Sequence, residues 1–223
     1  FGTDSLGRDL FSRAIWGARL SLAVSLVATL ITVTIGALVG LVSGFFGRWV
    51  DNVLMRVTDV FLAFPIFILL ITVIAIYGSS VFLLILFLGL AAWPSTARLV
   101  RAEVLSLGGR DFVLAARVSG AGSARIMLMH MLPNVVPILV VAATLRVAIV
   151  ILVEAGLSYF GLGVPPPAPS WGNMVADGRL YLDTAWWITT FPGVLVVITV
   201  LAYNFLGDGL RDVFDPRRRL TRG

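Results

Sequence analysis

Two ionisable side chains, Arg146 and Glu154, lie inside an otherwise apolar run at about 133–157. A charge at the centre of a bilayer costs about 2.5–3.5 kcal/mol on insertion scales, so such residues usually face a cavity or a partner. Eight residues apart, they share roughly one helix face but stand two turns from each other, and the spacing predicts no direct ion pair. Both are candidates for lining a translocation pathway. Glu154 falls near the end of the run, where organising the loop that follows is the alternative. The rest of the inventory closes off other chemistries. The chain has no Cys, so thiol nucleophiles, disulfides and iron–sulfur clusters are excluded. All 17 basic residues are Arg. A phosphate-binding Walker A loop and a Schiff-base enzyme both need a Lys, so the chain can host neither. His130, the single His, cannot build a histidine metal cluster. No catalytic group and no metal site is expected.

The segment 105–133 carries recognition rather than reaction. Gly108 and Gly109 end the preceding helix, and the pattern predicts a short helix over 111–118 with Asp111 at its positive end. Gly120 is placed to stop that helix in the left-handed conformation. Ser123 is placed to cap a second short helix running to about residue 131, ahead of Pro133. The first helix is expected to expose Ala115 and Ala116 close to Gly120, and small side chains let a helix sink into a partner's groove. Two readings follow: a docking element, or a solvated connector whose alanines favour helix. His130 is read as a structural hydrogen-bonding residue.

Membrane helices must position these residues. The 223 residues are 59% apolar and 13% charged, whereas soluble domains run to about half apolar and about a quarter charged. An all-α, polytopic transmembrane bundle of about five spans is predicted. The first span covers 20–47 and contains Gly36, Gly40 and Gly44, a small-residue ladder for close helix approach. The uncharged run 60–97 is too long for one crossing and holds turn chemistry at Tyr77-Gly-Ser-Ser80. It divides into helices at about 55–77 and 81–104, with Pro65 and Pro94 as candidate hinges. The last two spans fall at about 133–157 and 184–207. Between them, 158–183 reads as an external loop, too rich in Pro and Gly over 161–172 to be helical there. Trp171, Trp186 and Trp187 are read as interfacial anchors.

Arginine sets the orientation. Arg48, Arg56, Arg98, Arg101, Arg110, Arg117, Arg125 and the C-terminal arginines fall on one side, and Arg179 alone on the hairpin and 158–183 side. Positive residues accumulate inside, which predicts a cytoplasmic C-terminus. Arg217, Arg218 and Arg219 are expected near anionic headgroups, at about 1 kcal/mol per contact. Nucleic-acid binding is the weaker account of arginines that sit beside spans. Arg8, Arg13 and Arg19 precede the first span on the outer side, against the rule. A further span ahead of Phe1 would explain this. Leu6, Leu10, Phe11, Ala14, Ile15 and Ala18 recur at helical spacing, which suggests a short amphipathic helix on the outer interface, a linker being the alternative.

Leu114-Ala-Ala-Arg-Val-Ser-Gly120, continuing through Ile126 to Leu132-Pro-Asn134, resembles the EAA-type coupling loop of ABC importer permeases. The closest likeness is to the second permease of dipeptide, oligopeptide and nickel importers. The segment Phe1 to Arg13, the stretches Gly156 to Gly163 and Pro166 to Gly172, and the segment Asn204 to Pro216 resemble further signatures of that family, in the same order. The likeness covers nearly the whole chain. It implies a single permease domain over 1–223 with the type I importer fold, six spans in the family, a coupling loop at 105–133 and an external loop at 158–183. By the resemblance, Asp111, Leu114, Ala115, Ala116, Gly120, Ser123, Ile126 and Pro133 are the ATPase-coupling positions. Leu114 stands where the family commonly has Glu, so the docking role carries over without a specific salt bridge.

The resemblance also implies the assembly: a homologous second permease, two cytoplasmic ATPase subunits holding ATP and Mg, and an external solute-binding protein. The location would be a bacterial or archaeal cell membrane. This chain would form half of the pathway for a peptide and would be no enzyme itself. Nickel or glutathione are alternative solutes. The rival of another class is an ion-coupled carrier or channel, whose inverted repeats would place broken helices at matching positions, and no such repeat is visible.

Overall fold

The computed structural model describes residues 1–214. The arginines at 217–219 lie outside the described residues. Helices α1 (Leu10–Phe46), α2 (Arg48–Ala63), α3 (Ile66–Tyr77) and α4 (Val81–Leu107) come first. Then come α5 (Asp111–Val118), α6 (Ser123–Arg125), α7 (Leu132–Tyr159), α8 (Trp171–Gly178) and α9 (Trp187–Phe214). A π-helical turn, Ile126–Met131, joins α6 to α7, and a 3₁₀ turn, Arg179–Tyr181, follows α8. No strand occurs among the described residues; a single isolated bridge pairs Thr3 with Asp9. Helices α1, α4 and α9 and the continuous run Ser123–Tyr159 are long and apolar enough to cross a membrane. A fifth crossing is present if α2 and α3 form one broken span.

Several expectations change. The separate N-terminal amphipathic helix does not exist, because α1 runs unbroken for 37 residues. It contains no Pro, and an isolated Gly17 is tolerated inside a helix. Of the proposed stripe, Leu10 and Ala14 are buried with Met174 and Ile188, while Leu6 lies outside the helix. The helix expected at 55–77 is instead two. Phe64 is extended (φ −80°, ψ 128°) between them, since the residue before a proline is pushed out of the α region and Pro65 has no N–H to donate. Pro94, by contrast, sits inside an unbroken α4. No break falls at Pro133 either. The π turn gives Leu132 a hydrogen bond to the carbonyl of Met127, five residues back, and the wider turn accommodates the proline that follows. The 158–183 loop contains α8, whose first turn is capped by Ser170 Oγ accepting from the Asn173 N–H at 3.2 Å. Trp171 is 3% exposed and its Nε1–H donates to the Ala14 carbonyl at 3.0 Å. It is therefore a core residue, whereas Trp186 is exposed.

The chain forms two compact units. One comprises 1–29, 66–89 and 144–206. It packs Val24, Ala28, Leu70, Leu84, Leu88, Val150, Leu157 and Val164 into one cluster, and Val147, Ile151, Trp171 and Val196 into another. The second comprises 30–65, 90–143 and 207–214. Here the glycine ladder of α1 forms a seam with α4. A Cβ on Gly36 would come within 2.5 Å of Thr96 Cβ and one on Gly44 within 2.8 Å of Val104 Cβ. A Cβ on Gly40 would collide with the Ala97 carbonyl. The backbones approach so closely that only hydrogen fits.

Candidate functional site

The segment 111–131 belongs to the second unit. Helix α5 begins at Asp111, its only first-turn acid, where a carboxylate favours the positive helix end. It closes on a two-bond C-terminal motif. The Ala121 N–H donates to the Ala116 carbonyl at 3.1 Å and the Gly120 N–H to the Arg117 carbonyl at 3.0 Å. Gly120 itself has φ +76°, the left-handed conformation that this cap requires. Ser123 opens α6, but the residue preceding it, Gly122, takes the cap position and no side chain caps the turn. The capping role expected of Ser123 is therefore not realised.

The faces of α5 differ sharply. Val113 and Ala116 are buried, with Ile126 and Met131, against Leu41, Val100, Val104 and Leu107. Ala116 is thus an inward-facing anchor, and the expectation that it is exposed does not hold. The opposite face carries Asp111, Leu114, Ala115 and Val118, at i, i+3, i+4 and i+7, and all four are exposed. Val118 is 89% exposed. A solvated helix normally turns polar residues outward; α5 turns three apolar ones outward. Arg117 lies over the Phe45 ring at 5.6 Å, and Pro133 is exposed. His130 is half-buried, and its carbonyl accepts from Asn134 Nδ2 at 2.6 Å.

Beside this segment lies an ion pair that sequence reasoning missed. Arg101 of α4 binds Asp51 of α2 with both Nε and Nη2, each at 2.5 Å. Ser43 of α1 donates to the same carboxylate. Arg98 and Asp59 make a second, exposed pair between α4 and α2 at 2.6 Å. The available signal was the spacing: Asp51 and Asp59 share one face of α2, and Arg98 and Arg101 one face of α4.

In the first unit, Arg146 and Glu154 both lie on α7, eight residues or about two turns apart. Arg146 is half-buried. Glu154 is fully buried and accepts from Ser158 Oγ at 2.8 Å and Ser21 Oγ at 3.1 Å. Ahead of α1, Asp4 accepts from the Leu6 and Arg8 N–H groups, from Arg8 Nε and from Arg13. Burial alone would raise the Asp4 carboxyl, but the bonds from Arg8, Leu6 and Arg13 outweigh it and hold the pKa down at about 2. An outward-opening cavity of about 810 Å³ adjoins this cluster, lined among others by Arg8, Tyr159, Pro166, Asp177 and Arg179.

A family model described as the binding-protein-dependent transport system inner membrane component matches residues 36–220. The chain belongs to that family. It is a multi-pass permease subunit of a binding-protein-dependent transport system. A Brucella suis protein with a provisional peptide-permease name is 47% identical, over 99% of this chain and 74% of its own length. The di/tripeptide transport system permease protein DppC of Pseudomonas aeruginosa is 43% identical, over 97% of this chain and 71% of its own. Chains of the methionine ABC transporter MetNI in inward-facing forms superpose with a TM-score of 0.73 at 23% and 24% identity. They cover 91% and 92% of this permease and 97% and 98% of themselves. The expected permease fold is therefore shown.

Proposed function

We propose that this permease forms half of the translocation pathway of an ATP-driven peptide importer, and that α5 is the element by which a partner ATPase moves it. The observation that carries the reading is the two-faced α5. Val113 and Ala116 tie it to the α1 and α4 helices, and Leu114, Ala115 and Val118 leave an apolar stripe outside. A push on that stripe is delivered directly to the core beneath it. Small Ala115 between two larger residues makes a shallow groove into which a partner surface fits. The chain has no Lys with which to cradle ATP phosphates, so ATP and Mg are held by the partner ATPases and this chain does no catalysis. Peptide as solute follows from the names of the relatives.

The arginine distribution supports a cytoplasmic α5 and C-terminus and an external α8, on the side where a solute-binding protein would dock. A homologous second permease completes the pathway, in which Arg146 is the candidate lining charge. The test is the assembled complex in liposomes. Ala115→Trp is expected to leave ATP hydrolysis running while peptide uptake falls by about tenfold or more. Full ATP-driven uptake in Ala115→Trp would remove docking from α5. Uptake by the permease alone, without any ATPase, would favour the carrier or channel reading instead.

A further inference from the structure

The proposed mechanism leaves one fully buried ionisable group without a task. Glu154 has no exposed surface, and its neighbours Ser21, Ser158 and Ser170 are at most 2% exposed. Its contacts come from three parts of the chain. Ser21 on α1 donates to one carboxyl oxygen and Ser158, one turn further along α7, to the other. The Trp171 N–H donates to Ser21 Oγ at 3.2 Å, and Ser170 Oγ lies 3.5 Å from Ser158 Oγ. Both ends of the segment 158–171 are thus tied, through hydroxyls, to the same carboxyl group.

The backbone has been fitted to this arrangement. A Cβ on Gly172 would meet Ser158 Cβ at 2.6 Å and Ala155 Cα at 2.7 Å. One on Gly163 would collide with Ser158 Oγ. The loop therefore lies directly on the last turns of α7, with no space for a side chain between them. Asn173 Nδ2 closes it by donating to the Val164 carbonyl at 2.7 Å. A hydroxyl pair buried this deeply must have an acceptor, and Glu154 supplies both oxygens.

We infer that Glu154 is a positioning residue: it is the buried acceptor that holds the 158–171 segment and the start of α8 against α1 and α7. On the proposed function, it thereby sets the external surface that meets the solute-binding protein. Its role is acceptance of two hydrogen bonds, not a charge presented to the solute. Glutamine, which keeps an acceptor and adds a donor that rotating hydroxyls accommodate, preserves the tie. Alanine removes it.

The 223 residues contain no Cys, so a cysteine introduced among them is the single thiol of this segment, and its labelling is read on this chain alone. Val164, within this segment, is 2% exposed and packs against the core. In the assembled complex, Val164→Cys is expected to resist a membrane-impermeant maleimide with Glu154 or with Glu154→Gln. With Glu154→Ala, or with Ser21→Ala and Ser158→Ala together, labelling is expected to rise by about tenfold as local opening becomes easier. The serine pair decides the matter if Glu154→Ala fails to insert. In the same preparations, stimulation of ATP hydrolysis by the solute-binding protein is expected to fall in Glu154→Ala and to persist in Glu154→Gln, with basal hydrolysis unchanged. Equal labelling in all variants overturns the inference. So does a Glu154→Gln complex that keeps its protection but loses uptake, because the charge itself would then be what transport needs. If labelling responds as stated but no ATPase co-purifies, the positioning role stands and the importer reading falls.

Discussion

At the scale of single residues, Ala115 and Ala116 show how one helical step separates two jobs. They are adjacent in sequence, yet Ala116 points into the core and Ala115 away from it. Ala116→Trp is expected to overpack the cluster around Val104 and Ile126, costing about 1–3 kcal/mol or more. The measurement is thermal stability of the purified complex, which is expected to drop for Ala116→Trp and to stay near wild type for Ala115→Trp. A reversed order would place the wrong face inward. Sequence alone marked both alanines as small but could not tell the faces apart, because the large apolar side chains of α5, Phe112, Val113, Leu114 and Val118, are spread around the helix and define no single stripe. Asp4 makes a second residue-scale prediction. Its folded pKa of about 2 lies below the ordinary 3.8. A depressed carboxyl contributes stability that is fully present above the unfolded value and is lost as pH falls through the folded one. Hydrogen-exchange protection of the Leu6 and Arg8 amides, which both donate to Asp4 Oδ1 at 2.9 Å, is therefore expected to hold down to about pH 4. It is expected to vanish toward pH 2. Protection that is flat across that window would mean the carboxylate is not what orders the segment.

At the scale of elements, close packing was readable where it depended on residue size, and breaks were not readable where they depended on context. The Gly36, Gly40, Gly44 ladder announces a close seam because a four-residue step returns to one helix face. Gly40→Val is accordingly expected to push α1 from α4, against the Ala97 carbonyl and Val100, and to lower stability by about 1–3 kcal/mol. Val39→Ala, on the same helix and off the ladder, is the control for a general effect of substitution. Prolines were less informative. Pro65 ends a helix, whereas Pro94, Pro137 and Pro192 lie inside helices. A proline removes one hydrogen bond in each case, and the surrounding packing decides whether the helix resumes. The same holds at Pro133, where a π turn rather than a break absorbs the ring. For the Asp51–Arg101 pair, the spacing marked a charged face on each helix but not that the two faces meet. Each partner is an ordinary interfacial charge in sequence, and only the path of the chain brings together residues fifty positions apart.

At the scale of the whole molecule, hydropathy and arginine placement carry the membrane topology, and both can be checked with cysteines introduced into the same Cys-free segment. Val118 is 89% exposed on α5 and Leu180 is 78% exposed after α8. Ser170, at the start of α8, is fully buried and would report poorly on sidedness. A single crossing by the run Ser123–Tyr159, with the arginine-rich segments inside, predicts α5 and α8 on opposite faces of the bilayer. In intact cells, a membrane-impermeant maleimide is thus expected to label Leu180→Cys and to leave Val118→Cys unmodified. In inside-out vesicles the pattern is expected to invert. Labelling of both positions from one side would mean that the run Ser123–Tyr159, the one candidate span between them, does not cross. Labelling of each from the unexpected side would reverse the whole orientation and move the ATPase surface away from α5.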